Sequence, residues 1–235
     1  MSPRLGIALL LVALAVAGCG GEGPSRADGS ARLWVTRDRG SVVMLDARVP
    51  AGQTLLRALR SKLPVKTRYG GAFVQEIDGI SGSLLHRRDW FWLVNGLVGD
   101  RSAVSYRLRD GDVAWWDYRG WERDAETLEV VVGAFPEPFR HGYDGRVRAA
   151  AVRYAPGLGS AARRVAKAIG AVDVAPAAAA VPKGANLFEL VGGAPRFRAA
   201  LRTPGSGPSA PVRFTFAGDV DALLGGAFRR RFAVP

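Results

Sequence analysis

Residues 89–121 read DWFWLVNGLVGDRSAVSYRLRDGDVAWWDYRGW and hold five of the six tryptophans of this 235-residue chain. Two aromatic runs, residues 90–94 and 113–118, have the composition that suits a pleated, half-buried surface. Asn95-Gly96 and Asp110-Gly111 stand beside them and supply the positive φ angles that tight turns demand. The segment therefore predicts neighbouring strands of one sheet. Alternation sends Trp90, Trp92 and Val94 to one face and Phe91 and Leu93 to the other. In the partner strand Val113, Trp115 and Asp117 share one face, with Ala114, Trp116 and Tyr118 opposite.

Upstream, residues 32–36 and 41–49 read as strands joined by a turn at residues 38–40. Residues 54–63 (TLLRALRSKL) place Leu55, Leu56, Leu59 and Leu63 at helical spacing, which predicts a short amphipathic helix stopped by Pro64. Further strands are expected at residues 66–69, 73–77, 112–118 and 126–132. Pro136 and Pro138 then end this unit, because two prolines so close cannot sit in a central ladder. Strands and one helix in this order predict an α+β fold, a sheet packed on one helix.

The pattern resembles the transcobalamin C-terminal-like domain, a β-grasp family often described only as a domain of unknown function. Four motifs over residues 33–121 carry the resemblance. They are the helix lead-in VPAGQTLL at 49–56, the strand and turn FVQEIDGI at 73–80, WFWLVNG at 90–96, and LRDGDV at 108–113 leading to Trp115, Tyr118 and Trp121. The resemblance implies a β-grasp domain that closes over one face of a corrinoid in the vitamin carriers. It brings no set of catalytic residues, and the carriers' large helical domain has no counterpart here, so it supports a binding module more than a cobalamin site.

At the N-terminus, Arg4 precedes an apolar run at residues 5–17, too short to span a bilayer and consistent with an export signal. The run ends Val16-Ala17-Gly18-Cys19, which resembles a bacterial lipoprotein signal with Cys19, the chain's single cysteine, as the lipidation site. Residues 1–19 are then the signal and its lipidation site, residues 20–31 (GGEGPSRADGSA) a flexible tether, and the expected location is the extracytoplasmic face of the cell membrane, anchored through membrane lipid. A lipidated Cys19 leaves no thiol for a disulfide, a zinc-thiolate site or catalysis.

Residues 32–133 form the expected β-grasp domain and residues 134–235 a smaller, basic α/β domain. The first carries 16 basic and 13 acidic residues, the second 15 basic and 6 acidic, so most of the net +12 belongs to the C-terminal half. Its counterpart outside the cell is an anionic lipid surface or cell-wall polymer rather than nucleic acid; an arginine-rich soluble surface reads equally well. In this half, residues 147–154, 171–174, 187–191 and 212–216 read as strands. Residues 160–169 read as a helix capped by Ser160, and residues 197–201 as a short helical piece.

Catalytic and metal motifs are missing. His86 and His141, the two histidines, have no metal-ligand spacing, and no G-x-S-x-G elbow or S-x-x-K motif occurs. Gly157 to Ala162 (GLGSAA) matches a dinucleotide turn, but the acidic partner expected about 20 residues further on is absent. No metal or cofactor is expected. The sequence predicts a non-catalytic binding or accessory protein with Trp90, Trp92, Asn95, Trp115, Tyr118 and Trp121 as the ligand-binding set, Asn95 supplying a turn or a polar contact. The ligand would be a corrinoid or another small vitamin. The alternative is an interaction module that docks on a membrane transporter or surface assembly without a ligand of its own. Two arrangements of the aromatic rings stay open: an exposed patch for a flat or sugar-like ligand, or burial beneath the C-terminal half.

Overall fold

The computed structural model describes residues 29–121 and 128–235. The expected signal, Cys19 and most of the tether lie outside the described residues. Strands β1 (Ser30–Arg37) and β2 (Val42–Pro50) form an antiparallel hairpin, followed by α1 (Leu55–Arg60). Strands β3 (Val65–Arg68), β4 (Phe73–Ile77) and β5 (Ile80–Ser81) make a small separate sheet. Strands β6 (Arg88–Val94), β7 (Leu97–Val98) and β8 (Val113–Gly120) return to the first sheet, in the order β2-β1-β8-β6-β7. With β1 and β8 parallel at its centre and a helix after the first hairpin, this is the β-grasp arrangement.

Local chemistry explains these elements. Thr54 caps α1, its Oγ1 accepting the Arg57 N–H at 3.2 Å, and Leu55, Leu56, Ala58 and Leu59 are buried. Asn95 and Gly96, at φ 54° and 80°, form the two-residue turn between β6 and β7, where Val94 pairs with Leu97. Both central residues of such a turn need positive φ, which asparagine and glycine tolerate best. Register follows the expected alternation: Trp90 faces Tyr118, Trp92 faces Trp116 and Leu93 faces Trp115.

The second half contains β9 (Ala150–Tyr154), α2 (Gly159–Ile169), β10 (Asp173–Pro176), β11 (Asn186–Leu190), β12 (Arg196–Leu201), β13 (Val212–Ala217) and α3 (Val220–Leu224). Its sheet runs β10-β9-β11-β13-β12, parallel except at β12. Phe188, Phe197, Phe214 and Phe216 from this sheet meet Phe135, Phe139 and Phe228 in a chain of tilted and edge-to-face ring contacts. One contiguous core runs from Leu33 and Trp116 in the first sheet through Leu97, Val132 and Tyr143 to Phe214 in the second.

The other face of the first sheet is also covered. Trp34, Leu93 and Trp115 pack there with Val131, Ala134 and Phe232. Phe232 meets Trp115 edge-on at 5.1 Å, and Arg119 stacks between Phe91 and Phe232 at 4.2 and 5.2 Å. Arg230 donates its backbone N–H to Gly133 O at 3.0 Å and pairs through Nη1 with Asp46 at 2.9 Å. The segment around Arg230 and Phe232 thus straps the two sheets together.

Three expectations are corrected and one element is added. Residues 197–201 are strand rather than helix: they belong to β12, whose Phe197 and Leu201 pair with Phe216 and Val212 of β13. In the expected strand at 126–132, the described part makes only a bridge from Val130 to Leu97 and then turns into a 3₁₀ helix, Val132–Ala134. Ser160 does not cap α2; the helix already includes Gly159, and Leu158 stands at the cap without a side-chain bond. Finally α3, capped by Asp219 through the Asp221 N–H, was not anticipated.

Candidate functional site

The aromatic set does not form a single patch. Trp115 is 0% exposed and donates through Nε1 to Thr36 Oγ1 at 2.8 Å, which in turn donates to the buried carboxylate of Asp117 at 2.5 Å. Asn95 is buried too. Its Nδ2 donates to Asp112 Oδ1 at 2.8 Å and to Gly142 O at 2.7 Å, while its Oδ1 accepts the Val113 N–H at 2.8 Å, so it staples the turn to both halves of the chain. Tyr118 packs on Trp90 at 5.2 Å and donates to Ser81 O, and Trp121, half-buried, bonds its N–H to Arg87 O.

Trp90 and Trp92 do meet open space. They line a cleft of about 370 Å³ with Phe73, Phe91, Gly99 and Arg101, together with Ala72, Asp89, Ser102 and Trp116. The cleft follows the edge of β6 that faces away from β8. That edge is bonded at its ends, Arg88 exchanging hydrogen bonds with Ser83 and Trp92 O accepting from Gly99 N at 3.2 Å. Between them Asp89 Oδ1 accepts the Trp90 N–H at 2.8 Å, closing a donor that an edge strand would otherwise leave free.

The walls are set by close packing. A Cβ on Gly99 would lie 2.1 Å from the Trp92 ring, so only glycine lets the indole lie against this strand. Behind it Trp92 meets Tyr106 at 5.5 Å. Trp90 is held by Nε1 donating to Ile80 O at 2.8 Å, and Phe73 remains 39% exposed at the mouth. Trp116 is buried in the wall, and its Nε1–H has no acceptor among the described residues.

The two charged groups differ. Arg101 is committed: it pairs with Asp100 and Asp144 and lies over the Tyr143 ring at 5.7 Å. Asp89 has no cationic partner among the described residues; burial pushes its carboxyl above the usual carboxylate range, against the Trp90 N–H that lowers it. A half-buried acceptor without a counter-ion favours a ligand that brings a proton or a positive charge. The cleft therefore offers aromatic walls and one acidic acceptor, which suits a flat ligand with N–H donors.

Sequence reasoning singled out Trp90 and Trp92 and missed Phe73, Asp89, Gly99 and Arg101. Gly99, a glycine close after a hairpin of large residues, is the one that carried a readable signal of close approach. Among the described residues, no three His, Cys, Asp or Glu side chains converge on a point that could hold a metal ion.

One comparison with known families falls on the same region. The model of a family described as a domain of unknown function, DUF4430, matches residues 52–120, from the lead-in of α1 to the end of β8. A structure of haptocorrin in complex with Cbi is similar with a TM-score of 0.33 and 19% identity, over 38% of this chain and 24% of that one. The chain thus spans about a quarter of that haptocorrin's length. A candidate metal-binding protein from Ruminococcus gnavus ATCC 29149 is similar with a TM-score of 0.33 and 14% identity, over 40% of this chain and 98% of that one. No curated protein matches the chain.

Proposed function

We propose that this protein is a lipid-anchored extracytoplasmic binding protein, without catalytic activity, that holds a flat small molecule in the cleft beside Trp90 and Trp92. The observation that carries the reading is the cleft itself, an aromatic recess of about 370 Å³ with an unpaired, half-buried Asp89 in its wall. Its volume is at the lower end of small-molecule sites. It has room for part of a corrinoid, such as an edge with amide side chains, and a whole corrinoid would need a second surface. The Val16 to Cys19 motif supports anchoring at Cys19.

The test is titration with cobalamin, cobinamide and other planar vitamins, followed by tryptophan fluorescence and calorimetry. Saturable binding that Trp92→Ala abolishes and Asp89→Asn weakens would support the reading. Binding that survives Trp92→Ala would place the ligand elsewhere, and no response to any of the panel would overturn small-molecule capture.

A further inference from the structure

A second cleft, in the C-terminal half, shares no lining residue with the aromatic recess. It measures about 660 Å³ and runs between residues 136–141 and the pair α2 and α3. Pro136, Ala168 and Leu224 give it an apolar floor, and Leu224 is one of the few large hydrophobic residues left exposed. Arg140, Arg164, Lys167 and His141 line the same space, with Glu137 as its acidic member.

These charges are not equivalent. Arg164 is neutralised by Asp221. Glu137 is 5% exposed and turned onto His141, its Oε2 accepting the backbone N–H at 2.9 Å and its Oε1 facing Nδ1 at 2.8 Å. That contact orients the imidazole, whose other edge rests on Gly111, where a Cβ would meet Nε2 at 2.2 Å. Arg140 donates to Ala168 O at 3.4 Å, near the C-terminal end of α2, where a cation is favoured. This contact leaves most guanidinium donors available. Neither Arg140 nor Lys167 has a carboxylate partner among the described residues. Two uncommitted cations above an apolar floor are matched by one chemistry, an anionic head on a hydrocarbon or ring body.

We propose that this cleft is a second ligand site, taking an amphiphilic organic anion whose carboxylate or phosphate meets Arg140 and Lys167 while its apolar part lies on Pro136, Ala168 and Leu224. A free acid and a membrane phospholipid share this chemistry. Binding here needs neither Trp90 nor Trp92, so the proposal stands apart from the aromatic recess.

Calorimetric titration of the full chain with decanoate, decyl phosphate, decanol and inorganic phosphate tests it. Decanoate or decyl phosphate should bind about tenfold or more tightly than decanol or inorganic phosphate, since each of those lacks one half of the recognised chemistry. The exposed double substitution Arg140→Ala, Lys167→Ala should weaken the anionic amphiphile by about tenfold or more and leave decanol unchanged. Leu224→Glu should weaken it independently, whereas Trp92→Ala should have no effect. Binding to phosphatidylglycerol vesicles that the double variant loses would identify a membrane lipid as the source, and binding to the free amphiphile alone a soluble acid. Equal affinity for decanoate and decanol, or an unchanged affinity in the double variant, would overturn the proposal.

Discussion

Replacing Phe232 by alanine tests whether the strap holds the two sheets together. The ring is 8% exposed and touches Trp115 at 5.1 Å and the Arg119 guanidinium at 5.2 Å. Truncating a buried phenylalanine costs about 3–5 kcal/mol, a value that already contains the aromatic and cation-π parts of these contacts. Phe232 packs at the rim of the smaller core, where neighbours can partly close the gap, and its carbonyl still accepts the Val132 N–H at 3.2 Å in the variant. The lower end of the range, about 3 kcal/mol, is therefore expected. With a urea dependence of about 2 kcal/mol per molar, the unfolding midpoint should fall by about 1.5 M. Urea titration followed by tryptophan emission measures this, and acrylamide quenching of the native protein should rise as Trp115 becomes wet. Phe232→Leu should restore most of the midpoint. A loss below about 1 kcal/mol with unchanged quenching would show that the segment does not cover the Trp115 face.

Three further outcomes follow from individual contacts. Asn95→Ala strands the Val113 N–H, Asp112 Oδ1 and Gly142 O in a buried place, and should cost about 2–4 kcal/mol by urea unfolding. Asn95→Gly, which keeps the positive φ but not the bonds, should be nearly as damaging. Gly99→Ala should displace the Trp92 indole, seen as a change in near-ultraviolet circular dichroism, and abolish ligand capture in the aromatic recess. Acid should destabilise the fold through Asp144 and Asp173. The hydrogen bonds from Arg109 and Arg153 hold these two carboxyls below the usual range, so the stability they add is present above about pH 4 and lost as pH falls through their folded values. Asp112 and Asp117 act in the opposite sense: burial raises them, and their protonation on acidification relieves a cost. Asp144→Asn should flatten the acid limb of a plot of urea midpoint against pH; an identical limb in wild type and variant would refute the assignment.

The first sheet was legible because each local signal agreed with the next. Asn95-Gly96 fixed a two-residue turn, the alternation from Trp90 to Val94 fixed the faces, and the leucines of residues 54–63 fixed the helix side, although α1 closes at Arg60. Residues 196–201 defeated the same reasoning. Phe197 and Leu201 are both buried, four apart, a spacing that serves helix and strand equally, and only pairing with β13 decides between them. The valine run at residues 130–132 reads as a strand from its β-branched composition, and the chain there does alternate, Val130 and Val132 entering one core and Val131 the other, but it makes a single bridge to Leu97 before turning. The sites depended on long-range packing. Trp115 and Asn95 carry the right chemistry for ligand contact, yet the strap and Gly142 close over them. Arg140 and Lys167 become neighbours only through the packing of the 136–141 segment against α2.

The Arg230 contact to Asp46 spans 184 residues of sequence, and the ring that seals the Trp115 face comes from the same late segment. Contacts at such separation form slowly, because a long loop must close before they contribute. The first sheet can assemble its hairpins early, but its second face stays wet until the strap arrives. In a fragment ending before Phe232, Trp34, Leu93 and Trp115 would be left more open to solvent and to other chains.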